Sequence, residues 1–552
     1  MRRTHPAVPG LVRGLSSGLL SRREFLTRAT SLGLTAATAS ALGGLAAPAR
    51  AQTPTRRAGG TLRIQQDVRP LKDPRTYDWP EIANVSRGWL EYLVEYRGDG
   101  SLRGMLLADW EVDDTATEYL LRVRDGVTWS DGTPFGPEDV ARMFSYWCDA
   151  GVDGNVMAAS LSALVDPVSK SLVAGAVTVE DGAVRVRLSR PDATFIAALA
   201  DYPAAVVPDG FDPATMAENP VGTGPYRPEE IVPGDRAVLV RAEGHDWWGE
   251  SLDDWGPATL DRIEFLDMGT DPASWIAAIV ADSVDMLYEN VGRFIEIATE
   301  LGWEVSEVGT AATVVFRGNQ NAEVNGETVY ADHRVREALA QAVDNGICLE
   351  LGYANHGEVA ANHHVAPVQP DYADIGPAVF DPDHARQLLI QAGRHDMTHR
   401  IVTLDDGVGR RTGAAIEALL LDAGIKAEHV VLPGSRFWSE WKDFPLSITE
   451  WYHRPLGIQT LSLAYRSGAV WNETGYANPE FDAALDRAQT LADPEERTTV
   501  MAELETMLRD DAVIVQPYWR SLFRHVRPGV VGADMHPAFE IHLYELGYAD
   551  DA

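Results

Sequence analysis

The sequence predicts an α/β protein of more than one lobe, and three observations carry that reading. The chain has 552 residues, more than one ordinary core organises. Its hydrophobic content of 45% and aromatic content of 8% are those of a globular chain. Strand and helix patterns are mixed along the whole length, which the residues alone leave as α/β or α+β. There is no repeat, coiled coil or low-complexity linker.

Strand patterns open the mature chain. Thr61-Leu62-Arg63-Ile64 alternates after Gly59-Gly60. Val177–Glu180 and Ala183–Leu188 flank Asp181-Gly182, the pattern of a hairpin closed by a tight primed turn. Several helices open on an acid or amide followed by proline. Asp381-Pro382 precedes Ala385, Leu388, Leu389 and Ala392 on one face and stops at Gly393. Asn478-Pro479 precedes Phe481, Leu485 and Ala488, and Asp493-Pro494 precedes Val500, Leu504 and Leu508. The polar side chain caps, and proline takes the first helical position, where no donor is missed. Asp332 likewise precedes Val335, Leu339, Ala342 and Val343.

Charge and cysteine content exclude several classes. A formal charge of −35 disfavours nucleic acid, whose phosphates need a basic surface, and an anionic membrane face. Cys148 and Cys348 are the only cysteines, which excludes a disulfide framework or a cysteine-based zinc site; both follow apolar helix-like runs and read as buried thiols.

The N-terminal segment reads as an export signal of the twin-arginine type. Ser21-Arg22-Arg23-Glu24-Phe25-Leu26 leads into a weakly apolar stretch of Ala, Gly and Thr that ends Ala49-Arg50-Ala51. Gly43-Gly44 and Pro48 interrupt the run, which is too short for a membrane anchor. Cleavage is expected after Ala51, leaving a soluble periplasmic protein that begins at Gln52, with no cysteine there for a lipid anchor. Seven arginines and one glutamate leave with residues 1–51, so the formal charge falls from −35 to −41. Gly14-Leu15-Ser16-Ser17-Gly18 matches a nucleophile elbow, but it sits in the discarded piece with no strand before it.

Asn219-Pro220-Val221-Gly222-Thr223-Gly224-Pro225-Tyr226 offers two readings, a phosphate cradle or a rigid turn. No Lys-Ser or Lys-Thr follows at phosphate-loop spacing, and Pro225 removes a donor such a cradle needs. The stretch reads as scaffold.

Five stretches then line up in order: Arg124–Phe135 with Glu138-Asp139-Val140 after it, Asn219–Tyr226, Asp332–Leu339, Phe380–Leu389 running to Gly393, and Tyr476–Asp482. Together they resemble the family 5 extracellular solute-binding proteins, the large receptors of ABC importers for peptides, opines, nickel complexes and some sugars. The resemblance covers essentially the whole mature chain. It implies a periplasmic binding protein fold of the large cluster C type, with two lobes that close on a ligand about a hinge of two crossing segments. Lobe I is expected over 52–312 with a C-terminal return over 516–552, and lobe II over 313–515. The Gly222-Thr223-Gly224 stretch becomes a structural turn of lobe I.

The expected site follows from residue chemistry and that frame. Small-molecule sites are mostly apolar with a few placed polar groups, and Trp and Tyr suit them. Glu450–Gly457, with Trp451 and Arg454, follows the apolar strand Leu446–Thr449 and so leaves a sheet at a strand end. Trp471 and Asn472 come shortly after. On the other lobe, Tyr77 and Trp79 match where the family presents an aromatic to the cleft. Peptide receptors of the family usually place an aspartate after the tryptophan for the α-ammonium of the ligand. Here Arg454 stands at that step and would fork onto a carboxylate or another anion. Conversely, Asp405-Asp406 ends the strand Ile401–Leu404, near where peptide receptors tend to place an arginine. The alternative for each tryptophan is plain core packing.

His356, His363 and His364 form the remaining cluster; their spacing matches no standard metal motif, so contact with ligand through His363 and His364, or surface exposure, is expected and no metal. The function expected is a non-catalytic receptor that captures a small polar solute bearing an anionic group and hands it to an ABC permease and ATPase complex. It would act as a monomer without cofactor. The alternatives are a periplasmic hydrolase or metal-binding protein, which no H-E-x-x-H, mature G-x-S-x-G or phosphate loop supports, and a sensory binder on the same fold.

Overall fold

The structure is a computed structural model that describes residues 5–45, 56–252, 255–370, 372–491 and 494–550. The expected cleavage site at Ala51 and Gln52, and the expected cap Asp493, lie outside those residues.

One eleven-stranded sheet runs through the molecule. At one end, Ala427–Leu432, His399–Leu404 and Leu446–Trp451 run parallel, with helices such as Gly409–Asp422 packed over them. Near the other end, Met286–Leu287, Thr61–Gln65 and Arg262–Leu266 run parallel and are extended by the antiparallel pair Tyr226–Val232 and Arg236–Arg241. These are the sheets of two α/β lobes. A separate antiparallel sheet carries the expected hairpin: Val177–Glu180 pairs with Ala183–Arg187, and Asp181 and Gly182 both take positive φ.

Two strands belong to both ends. Glu304–Gly318 pairs in its first half with Tyr518–Val526 and in its second half with Leu446–Trp451, and its register shifts between Gly309 and Thr313. At the crossing the regular ladder gives way to side-chain bonds, Thr310 Oγ1 donating to Arg520 O at 2.8 Å and Ala311 N to His453 Nδ1 at 3.1 Å, and such an irregularity is where a strand bends. The C-terminal segment packs back on the first lobe, where Asn84 bonds the backbone of Phe539 (3.0 Å) and Ile541 (3.0 Å).

The capped helices form as their sequences require. Asp381 accepts from His384 N, Asn478 from Glu480 N and Asp332 from Arg334 N, at 2.9, 2.9 and 3.0 Å. Both cysteines are buried; burial pushes the Cys148 thiol up to about 12 and the Cys348 thiol further.

The turn at Gly222 is a packed joint rather than an exposed one. Gly224 N donates to Trp89 O and Tyr226 N to Gly88 O, at 3.0 and 2.8 Å. A Cβ on Gly222 would stand 1.9 Å from Trp89 O, and one on Gly224 2.6 Å from Gly88 O. Close approach of two backbones is what requires glycine here.

Residues Val8–Ser16, Arg22–Ser31 and Ala36–Leu42 are three short helices with their own apolar cluster around Phe25 and Leu26. They lie against the first lobe, with Trp110 Nε1 donating to Ser31 O at 3.1 Å. Arg22 and Arg23 open the second of them behind the capping box of Ser21 and Glu24. No helix among the described residues is long and apolar enough to cross a membrane.

Candidate functional site

The cleft between the lobes is closed by aromatic and charged contacts. Trp79 precedes the helix Pro80–Ser86 of the first lobe, and Trp438 lies on the short helix Gly434–Glu440 of the second; their ring centroids are 3.9 Å apart. Tyr452, just past the end of its strand, meets Trp79 edge-on at 5.7 Å. Arg454 reaches back across the cleft to Asp201 at 3.2 Å and to the Tyr202 hydroxyl at 3.2 Å.

Two small chambers lie along this cleft, sharing Glu450 and Tyr452 as a common wall. The smaller, about 20 Å³, is lined by Trp79, Tyr202, Trp451, Arg454 and Trp471 among others. The larger, about 90 Å³, is lined by five carboxyls, those of Asp67, Glu81, Glu289, Asp406 and Glu450, together with Arg69 and five aromatic side chains.

The strand Leu446–Trp451 positions one wall. Its last residue, Trp451, donates from Nε1 to Glu473 Oε1 at 2.7 Å. Glu473 also accepts from Thr449 Oγ1 (2.7 Å) and Arg317 Nε (3.0 Å). The strand runs two residues past the expected Thr449, with Glu450 paired opposite Val314 and Trp451, held by Glu473, opposite Thr313.

Of the residues singled out from sequence, Trp79, Trp451, Arg454 and Trp471 come together at the smaller chamber, and Asp406 lines the larger. Tyr77 lines neither. It is fully buried in the first lobe and donates to Ser86 Oγ at 3.2 Å. Asn472 serves its own loop, donating to Arg466 O and Tyr476 O at 3.0 and 2.8 Å. His364 lies behind the wall, bonded to the Tyr465 hydroxyl at 2.6 Å and edge-on to Trp451. His363 is buried beside Tyr372 and Trp519, 3.4 Å from Glu505. Burial, with nearby arginine, holds the two imidazoles down to about 4 for His363 and about 3 for His364, so both are neutral at pH 7. His356 stands apart from them, 3.7 Å from Glu296.

Arg454 differs from its expected role in one respect. Its anionic partner is supplied by the chain itself, as Asp201, and its guanidinium lies over the rings of Tyr202 and Trp471 at 5.4 and 5.1 Å.

Sequence reasoning passed over Trp438, Glu81 and Glu289, and it took the segment Glu450–Gly457 without picking out Glu450 or Tyr452 within it. Trp438 carried a signal, the aromatic pair Phe437-Trp438 just after a strand and Pro433. The glutamates carried none, since single acids in a chain this acidic do not stand out.

The larger chamber is electrostatically unusual. Burial pushes Glu81 up to about 7, with Arg69 opposing and Asp67 and Glu450 adding. Burial also pushes Glu289 up to about 7, with Arg520 opposing and Glu450 adding. Asp406 goes well above the usual carboxylate range through burial and its contact with Glu450, although it accepts from Val408 N at 3.0 Å and Gly409 N at 2.5 Å.

Elsewhere, among the described residues, His536, Glu540 and His542 bring metal-ligand atoms together. Both ring nitrogens of His536 are already hydrogen-bonded, to Tyr96 O (3.0 Å) and Ala538 N (3.2 Å), and Glu540 pairs with Arg87 at 3.0 Å. The group is a buried ion cluster with no open ligand position.

Residues 101–473 match a family described as bacterial extracellular solute-binding proteins, family 5 Middle. Among curated proteins, the chain is similar to heme-binding protein A of Haemophilus influenzae, 25% identical over 480 residues that cover 81% of this chain and 84% of the relative. Among solved structures, OppA of Haemophilus influenzae in complex with RPPGFSPFR superposes with a TM-score of 0.78 at 18% identity, over 90% of this chain and 100% of that one. The binding protein AgaA of A. tumefaciens R10 in complex with agropinic acid superposes with a TM-score of 0.75 at 19% identity, over 88% and 98%.

Proposed function

The chain belongs to the bacterial extracellular solute-binding proteins of family 5, and we propose that it is the periplasmic receptor of an ABC importer for a small polar solute. It is a binding protein rather than an enzyme. The solute is peptide-like, an opine or an amino-acid derivative, held between the lobes and released to the permease when they open. The observation that carries this reading is the cleft itself: aromatic side chains of both lobes enclose chambers beside two strands that cross between the lobes. Such strands let two rigid bodies swing about a fixed line, so binding energy is converted to closure.

An anionic group on the solute would reach Arg454 only by displacing Asp201. A solute that does so gains a bidentate partner, but it leaves the Asp201 carboxylate to find water. The twin arginines Arg22 and Arg23 are the export signal in this reading, with transport through the twin-arginine route.

The test is to purify the protein natively, denature it, and identify any small molecule released. The released compound is then titrated calorimetrically, and small-angle scattering follows the lobes. A stoichiometric complex with a contraction of the scattering radius supports a receptor. Turnover of the compound, or binding with no change of shape, counts against it.

A further inference from the structure

The larger chamber carries a charge pattern that singles out one chemistry. Five carboxyls line it, and only one guanidinium, Arg69, lines it with them. Arg69 lies 3.5 Å from Asp67 and 3.9 Å from Glu81, with Trp79 and Trp438 on its faces at 5.2 and 5.3 Å, and its Nε makes no hydrogen bond within the chain. Arg520 stands behind the wall, paired with Glu450 at 2.7 Å and with Glu289. Arg411 and Arg524 lie further out and bond backbone carbonyls, of Gly352 and of Tyr288 and Asp534. Carboxyl groups thus outnumber guanidinium groups at the chamber surface, and a cation that enters meets groups able to ionise beside it.

A second observation is independent of the charge count. Tyr288 Oη, Gln65 Oε1 and Glu81 Oε2 are buried against the chamber and make no hydrogen bond within the chain. The three residues are only 8%, 3% and 6% exposed. Buried polar atoms without partners are rare in native proteins and call for one. All three can accept a hydrogen bond. The aromatic faces of Tyr288, Tyr452 and Phe539 pack around them, with Phe539 at 5.5 Å from Tyr288 and 4.8 Å from Tyr452. Aromatic faces and acceptors together favour a cation that carries N–H donors. The volume of about 90 Å³ is that of roughly three waters, at about 30 Å³ each, enough for one charged head on a short stem.

We propose that this chamber binds a protonated nitrogen of the solute, an ammonium or a guanidinium, with Glu81, Glu289 and Glu450 as counter-charges and Tyr288 Oη and Gln65 Oε1 as neutral acceptors. The inference rests on the receptor reading and deepens it. The site is built from both lobes and the crossing region, so the cation is held only when they close. A quaternary ammonium lacks the donors that the three orphaned acceptors require, which separates this chamber from a simple aromatic cage.

The probes are trialanine, lysine, arginine, agmatine and putrescine, each paired with a counterpart in which every charged nitrogen is acylated, a urea standing in place of each guanidinium, plus trimethyl-lysine. Thermal shift screens them and calorimetry gives Kd. At least one cationic probe should bind tenfold or more tighter than its acylated partner and than any trimethylated form. Glu289→Gln should reduce that preference about tenfold. Binding to the wild type at pH 6.5 should also release protons, seen as a dependence of the heat on the ionisation enthalpy of the buffer; this readout needs no variant to fold. Equal binding of neutral partners, no proton release, or an uncharged or anionic compound released from the purified protein would overturn the cation site while leaving the receptor standing. No binding by any probe, with nothing released on denaturation, would sink both.

Discussion

Asp201 and Arg454 form an ion pair across the cleft at 3.2 Å, and both side chains are buried, at 9% and 3% exposure. In the receptor reading one comes from each lobe, and the pair would be broken when the lobes open. Taking two charges out of water costs several kcal/mol per ion, and their mutual attraction offsets this only in good geometry. Here the Tyr202 hydroxyl accepts a second hydrogen bond from the guanidinium.

Removing one partner should therefore favour opening. Arg454→Ala leaves Asp201 buried and uncompensated, at a cost of about 3–5 kcal/mol in the closed form. Opening relieves that cost by rehydrating the carboxylate. Small-angle scattering should show an expanded ligand-free protein, and the Kd of the released solute should weaken whatever its charge. The double variant Asp201→Asn with Arg454→Met should recover most of the closure. If only anionic solutes lose affinity, Arg454 is instead a direct ligand contact.

The turn at Gly222 should tolerate no side chain. Its Cβ position lies 1.9 Å from a backbone oxygen of Trp89, which has no rotamer to move aside. Gly222→Ala should destabilise by about 3 kcal/mol or more, at the upper end of overpacking penalties. Urea unfolding measures this. A loss below about 1 kcal/mol would mean the backbone yields more easily than packed interiors do.

Much of the fold was legible in the sequence because it was written in local chemistry. Caps such as Asp332, Asp381 and Asn478 act within three residues of themselves, so their helices could be read without tertiary knowledge. The positive φ of Asp181 and Gly182 is likewise local. The site was legible only in part. Trp79, Trp451 and Trp471 reach the cleft because aromatic residues at element ends have few other places to go. Tyr77 does not, since the adjoining turn and helix point successive side chains to different sides and Ser86 takes its hydroxyl. Asp201 was invisible as the partner of Arg454, because the two stand 253 positions apart in the sequence. The glutamates of the larger chamber gain their character from burial, which no spacing records.

Export offers a test that does not depend on the cleft. Arg22 and Arg23 open a helix ahead of a weakly apolar run. Replacing both with lysine keeps the charge and removes the guanidinium pair. Periplasmic accumulation should be lost, while the protein in the cytoplasm stays folded by circular dichroism. Unchanged accumulation would refute the twin-arginine routing.

The pH dependence of the larger chamber has a definite sign. Glu81 and Glu289 each go from 4.5 in the ordinary state up to about 7 in the folded protein, through burial first and the neighbouring carboxylates second. The groups facing Glu81 are Arg69, Asp67 and Glu450, and those facing Glu289 are Arg520, Glu450 and Tyr353. A raised carboxyl means that the folded protein holds more protons than the unfolded chain between about pH 4.5 and 7. Each group therefore contributes a loss of stability as pH rises through that window, up to about 3 kcal/mol apiece. Other carboxyls of the chain shift the opposite way, so the total profile mixes both signs. The difference between variant and wild type isolates the effect. Glu81→Gln and Glu289→Gln should match the wild type near pH 4.5 and become progressively more stable than it up to pH 8, in urea unfolding without added solute. A saturating cationic solute should shrink that advantage, because its charge lets the carboxylates ionise at little cost. A difference that stays flat with pH, or that favours the wild type at pH 8, would show that the arginines compensate these carboxylates more fully than their burial implies.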